Sequence, residues 1–143
     1  SSSGATHCGL VLGKQMNNGN SNIIGINIDK DEQGKDSYKS QLQQLIEHSA
    51  SQLAIDYNGS IDDLHLIDDY IGQGYGVVGR LEREAIALCA QYEGILLDPV
   101  YTGRAMGGLI DMIRRKQFKA DSNVLFWHTG GAPAIFAYAD ALQ

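Results

Sequence analysis

A chain of 143 residues, 43% hydrophobic and 20% charged, is long enough for a real core and has the composition of an ordinary globular protein. Its net charge of −6, with basic residues scattered apart from Arg114-Arg115-Lys116, argues against nucleic-acid binding, which needs dense Lys and Arg. No apolar run approaches the ~18 residues of a membrane span, and there is no charged-then-apolar leader. Cys8 and Cys89 lack CxxC or metal-ligand spacing, so they read as free, buried thiols in a reducing, cytoplasmic setting.

The first stretch, Ser1-Ser2-Ser3-Gly4-Ala5-Thr6-His7, is a small, hydroxyl-rich loop running into a helix over 8–16. Backbone N–H groups left open by small residues, with a helix dipole behind them, make a phosphate cradle. Such a loop normally hangs from a strand, and none precedes it, so the chain reads as starting partway through a larger protein. Residues 17–21 form a turn and 22–28 a β-branched run typical of a buried parallel strand. After a polar loop at 29–35, Asp36 or Ser37 is expected to cap a helix to about Ser51, with Leu42, Leu45, Ile46 and Ala50 as its apolar stripe.

Residues 56–60 form a turn and 64–68 a short strand. Asp62, Asp63, Asp68 and Asp69 lack metal-loop spacing and read as solvated acids. Gly74-Tyr75-Gly76-Val77-Val78-Gly79 is a literal G-x-G-x-x-G, with Asp98 nineteen residues further on. Two features oppose a dinucleotide reading: the first glycine is not at a strand end, and Asp68 and Asp69 would repel a pyrophosphate. A flexible, tyrosine-bearing loop over a pocket is expected instead, followed by a helix over 80–92.

Residues 95–97 read as a strand stopped by Asp98-Pro99, delivering Tyr101, Thr102 and Gly103 to a helix that runs to about Arg115. A last strand at 123–127, the turn His128-Thr129-Gly130-Gly131 and a helix from Pro133 complete the pattern. Repeated strand–helix units predict one α/β domain with a parallel, doubly wound sheet. Its three glycine-bearing turns would gather at one end, the crevice where such sheets bind ligands. His7 and His128 would face that crevice, as structural residues ahead of proton carriers. The inventory suits a phosphorylated aromatic cofactor.

Three stretches carry a resemblance: Ser3-Gly4-Ala5-Thr6-His7-Cys8-Gly9-Leu10, Gly74-Tyr75-Gly76-Val77 with Glu93-Gly94-Ile95-Leu96-Leu97-Asp98-Pro99-Val100-Tyr101-Thr102-Gly103-Arg104-Ala105-Met106, and Val124-Leu125-Phe126-Trp127-His128-Thr129-Gly130-Gly131. They resemble the D-cysteine desulfhydrase / 1-aminocyclopropane-1-carboxylate deaminase family. The resemblance implies part of the large domain of a fold type II, pyridoxal 5'-phosphate-dependent enzyme. It implies that Ser3, Gly4, Ala5 and Thr6 hold the cofactor phosphate. Tyr75 and Tyr101 would lie at the substrate and pyridine face, and Thr102, Thr129 and Gly130 near the pyridine nitrogen; no metal is implied.

Where the deaminase branch has Glu after the central Tyr, this chain has Thr102. A hydroxyl there leaves the ring nitrogen largely neutral, which suits β-elimination of thiolate from a small amino acid such as cysteine, giving pyruvate, ammonia and sulfide. Val78-Gly79-Arg80 also replaces the family's Pro after Gly76-Val77. The resemblance further implies that an N-terminal half, bearing the Schiff-base lysine, is absent. Lys14, Lys30, Lys35, Lys39, Lys116 and Lys119 fall in none of the matching motifs. The segment is therefore expected to be inactive alone and to self-associate through the apolar surface left open. A non-enzymatic binding or assembly module, and a nucleotide-binding domain, are the alternatives.

Overall fold

The computed structural model describes residues 2–29 and 35–142, with only the backbone of Lys35 and Asp36. Most of the polar loop expected at 29–35, and the capping role expected of Asp36, lie outside the described residues. The chain divides into two compact units, Ser1–Asp69 and Tyr70–Gln143.

The first unit contains α1 (Ala5–Met16), β1 (Ile24–Ile26), α2 (Lys35–Gln52), a 3-10 turn (Ile61–Asp63) and β2 (His65–Ile67). β1 and β2 pair in parallel, Gly25 opposite Leu66, and Asn27 N–H extends the ladder to the Ile67 carbonyl at 2.8 Å. The expected strand at 22–28 is thus shorter than its apolar run. Beyond Ile26 side chains take part, with Asn27 Nδ2 donating to Asp68 Oδ1 (3.1 Å) and Asp29 N–H to Asn27 Oδ1 (3.3 Å). The stripe read from the sequence closes the core: Leu42, Ile46 and Ala50 of α2 are buried with Tyr38 against Cys8, Val11 and Leu12 of α1 and Leu64 and Leu66. Burial of a side chain such as Leu42 or Ile46 contributes about 1.5–3 kcal/mol. Asp63, one of the four loop acids, closes a capping box by accepting the Ser60 N–H at 2.7 Å.

The second unit holds α3 (Arg80–Glu93), α4 (Thr102–Arg114) and 3-10 turns over Ala132–Leu142. The two helices approach closely because α4 presents glycines. A Cβ on Gly107 would lie 2.2 Å from a Leu81 methyl, and one on Gly103 would lie 3.1 Å from Ile86. Tyr70 packs on Gly108 and donates its hydroxyl to Asp111 at 2.9 Å. A small core joins Ile86 and Cys89 to Leu97, with Met106, Phe126 and Leu142 beside it.

Two expectations fail here. The apolar runs at 95–97 and 123–127 lie in no helix and form no ladder among the described residues, because a strand exists only with a partner at ladder distance. The helix expected from Pro133 is a series of 3-10 turns, kinked at Tyr138. Helices this short need one face packed, and none of these residues is buried.

Candidate functional site

In the first unit the hydroxyl-rich loop ends at Gly4, which takes a left-handed conformation (φ 79°) as N-cap of α1. That conformation suits glycine, and a side chain there would also collide with Leu42, 2.0 Å from a Cβ. The helix begins at Ala5, three residues earlier than expected, so Ala5 and Thr6 belong to its first turn. Gly4 has no side chain with which to cap it, and no side-chain cap hydrogen bond forms there among the described residues. Tyr38 of α2 donates to the Ser2 carbonyl at 2.6 Å and holds the loop in place. The result is a positive helix end with small residues around it, which fits a phosphate.

His7 does not face an open crevice. Its ring is buried against Gly25 of β1, neither nitrogen has a hydrogen-bond partner among the described residues, and burial lowers its pKa to about 4. The ring sits in the third position of α1, turned toward the sheet, and so remains neutral. Cys8 beside it is also buried, and burial raises its thiol pKa to about 11.

In the second unit, the apolar run ends at Asp98, whose carboxylate is buried and fully used. Its Oδ2 accepts the N–H groups of Val100 (2.8 Å) and Tyr101 (2.7 Å). Its Oδ1 accepts the N–H of Thr102 (2.7 Å) and the Thr102 hydroxyl (2.7 Å). That hydroxyl in turn accepts the Asp98 N–H at 2.8 Å, and Gly103 N–H reaches the Asp98 carbonyl at 2.7 Å. The N-terminus of α4 is therefore closed by its own aspartate. Thr102 is buried, with its proton committed to Asp98.

Tyr101, the next residue back, is exposed, and its hydroxyl shares a hydrogen bond with the hydroxyl of Tyr75, the rings meeting edge to face at 5.9 Å. The two tyrosines singled out in the sequence thus come together. The loop carrying Tyr75, expected to be flexible, is held by hydrogen bonds from α4. The buried guanidinium of Arg104 on α4 donates to the carbonyls of Ile71 (2.7 Å), Gly74 (3.0 Å) and Val77 (2.7 Å), while its Nε pairs with Glu82 Oε1 at 2.6 Å. Glu82 also accepts the Gly79 N–H, fixing the loop's far end at 2.8 Å. Sequence reading passed over Arg104. Its signal was a cation on the buried face of α4, in register with Gly107 and Gly108 (i+3, i+4), where a charge needs partners.

The last turn lies against the same cap: a Cβ on Gly131 would come within 2.9 Å of the Asp98 carboxylate carbon. Within this turn His128 braces the backbone, with Nδ1 accepting the Gly130 N–H (3.0 Å) and Nε2 3.1 Å from the Leu96 carbonyl. Thr129 is exposed and Gly130 half-buried. Among the described residues no group of three or more His, Cys, Asp or Glu is placed to hold a metal, and no helix is long and apolar enough to cross a membrane.

These features define an α/β protein with an open helix end in one unit and, in the other, a tyrosine-bearing edge closed by its own aspartate. Residues 1–130 match the model of the pyridoxal-phosphate dependent enzymes, and the chain belongs to that family. D-cysteine desulfhydrases of Salmonella paratyphi C (strain RKS4594) and Salmonella choleraesuis (strain SC-B67) are each 46% identical to it over 138 residues, which cover 96% of this chain and 40% of theirs. A solved structure of an ACC deaminase homologue matches with a TM-score of 0.86 and 34% identity, covering 99% of this chain and 41% of that one. The expected resemblance is borne out, as is the expected α/β fold as part of a fold type II enzyme. The chain spans about two fifths of the length of these relatives.

Proposed function

We propose that this chain is the phosphate- and ring-binding segment of a D-cysteine desulfhydrase-like lyase acting on a small amino acid. One observation carries the choice of β-elimination over ring opening. The position after Tyr101 is a threonine, and the nearby carboxylate of Asp98 is already spent on three backbone N–H groups and a hydroxyl. Neither residue supplies a free carboxylate to keep a ring nitrogen protonated.

When bound, pyridoxal phosphate supplies an electron sink for the bond broken at the amino acid's α-carbon. The chain's own residues bind and orient. The first amides of α1, with Ser3, Gly4, Ala5 and Thr6, hold the phosphate. Thr102 keeps its proton on Asp98, so the exposed Thr129 hydroxyl, beside Gly130, is the one available to a ring nitrogen, with Thr102 fixing that edge. The Tyr75 and Tyr101 hydroxyls hydrogen-bond to each other, and either can pass a proton to or from a substrate atom. Turnover needs a lysine and carboxylate-binding groups that none of the matching motifs here provides, so the chain alone binds without turning over.

The test is phosphorus NMR of pyridoxal phosphate titrated with the purified chain. A shifted or broadened resonance, absent with a Gly4→Ala chain and without a borohydride-fixed adduct, is the expected result. An unmoved resonance defeats the cradle, a fixed adduct defeats the inactive-alone reading, and stabilisation by NAD in place of pyridoxal phosphate favours the nucleotide alternative.

A second reading has its own observation. Leu125, Phe136 and Trp127 stand 81%, 85% and 56% exposed in the second unit, large apolar side chains open to a second copy of the chain. Self-association follows, and a single monomeric boundary in sedimentation velocity would count against it.

A further inference from the structure

We propose that Arg104 is the positioning residue of Tyr75, fixing the phenol against Tyr101 by holding the backbone that carries it. Residues 71–77 lie in no helix and no ladder, and among the described residues the one backbone hydrogen bond within them, Val77 N–H to the Gly74 carbonyl, is long at 3.3 Å. A loop so poorly bonded to itself takes its shape from what it touches. Here three of its carbonyls, those of Ile71, Gly74 and Val77, converge on one guanidinium. They flank Tyr75 on both sides, Ile71 and Gly74 four and one residues before it and Val77 two after.

The guanidinium is held in turn. Its Nε is paired with Glu82 on α3, whose second oxygen takes the Gly79 N–H at the end of the same loop. Arginine suits this task because its planar fork offers donors in fixed directions, which a lysine ammonium on a flexible stem cannot match. Arg104 also stands two residues after Thr102 on α4, so one helix start sets both halves of the edge: Tyr101 directly and Tyr75 through the guanidinium. The functional consequence rests on the reading of Tyr75 as a residue of the substrate face; the positioning itself does not.

Photo-oxidative dityrosine formation in the whole chain tests it, because a Tyr75–Tyr101 crosslink identified by peptide mass spectrometry needs the two rings in contact. The wild-type chain is expected to give that crosslink and Tyr75→Phe to abolish it. Arg104→Gln, with Trp127 emission and the amide protection of α3 unchanged, is expected to fall to the Tyr75→Phe level. Arg104→Lys is expected to recover part of the yield, since an ammonium can hold some of the carbonyls; it decides the matter alone if the glutamine variant does not fold. Wild-type yield in either variant overturns the proposal, and no crosslink in the wild type overturns the tyrosine pairing beneath it. Failure of pyridoxal phosphate to bind in the titration above would sink the functional reading and leave the crosslink order as stated.

Discussion

Two helix starts in this chain solve the same problem in opposite ways. Every helix begins with N–H groups that have no partner within it, and with the positive end of its dipole. At α4 the chain supplies its own anion: buried Asp98 takes three amides and the Thr102 hydroxyl. At α1 the N-cap is Gly4, which turns left-handed, and among the described residues no side-chain cap forms there. A helix end that is sealed from within is a structural part, whereas one left open among small residues is available to an external anion. The contrast supports the proposal that phosphate sits at α1 while α4 aims hydroxyls.

The largest effect should come from breaking the seal. Asp98→Ala leaves three N–H groups at a buried helix start without an acceptor, and a destabilisation of about 4 kcal/mol is expected from orphaned buried donors. Trp127, the single tryptophan, lies in the same unit, so its emission in a urea titration reports the loss. Asp98→Asn should cost about half as much, because one oxygen remains to accept. An Asp98→Ala chain as stable as the wild type would mean the seal is not structural.

How much of this contrast was legible beforehand depends on how local each feature is. The hydroxyl-rich loop before α1 and the Asp-Pro stop before α4 were both visible, because turn and cap chemistry lies within a few neighbouring residues. That the Asp98 carboxylate would take the Thr102 hydroxyl, turning a supposed ligand group inward, was not, though an Asp four residues before a helix-start Thr was the available signal. The pairing of Arg104 with Glu82 and three loop carbonyls joins residues up to 33 apart in the chain, and no local pattern encodes it. The apolar runs at 95–97 and 123–127 illustrate the same limit: apolarity marks a segment as fit for a strand, but a ladder needs a partner that composition does not name. His7 was seen beside a ligand loop, whereas the side its ring takes was decided by the glycine at position 25.

His7 gives the next largest effect and tests the α1 side. Its folded pKa of about 4 lies below the ordinary value of 6.5. Between those values the unfolded chain binds the proton and the folded chain does not, so stability is full above pH 6.5 and falls as the pH drops toward 4. The 2.5-unit gap corresponds to a loss of about 3 kcal/mol over that window. Amide exchange in α1 and α2, followed from pH 7 to 4, should show it, and His7→Leu should flatten the slope. An unchanged slope in the leucine variant would place the proton elsewhere.

Gly4→Ala attacks the open end directly. A left-handed alanine costs about 1–2 kcal/mol, and Leu42 must move to admit the methyl. A total near 2 kcal/mol is expected from urea unfolding of the first unit, together with loss of phosphate binding. The second readout sharpens the comparison, because Asp98→Ala should leave phosphate binding by the first unit intact.

The smallest effect separates the two jobs of Thr102. Thr102→Val keeps the shape and removes the hydroxyl, so Asp98 loses one donor and its own N–H loses an acceptor in a buried site; about 1–2 kcal/mol should follow. Thr102→Ser restores both bonds and lacks only a methyl group, so it should lie within about 1 kcal/mol of the wild type. Because Thr102 and Asp98 share these bonds, Asp98→Ala with Thr102→Val should cost clearly less than the two single changes added together. If the costs simply add, the hydroxyl is not part of the seal. Its proton would then be free for a ligand, and the distinction between a closed α4 and an open α1 would lose its sharpest element.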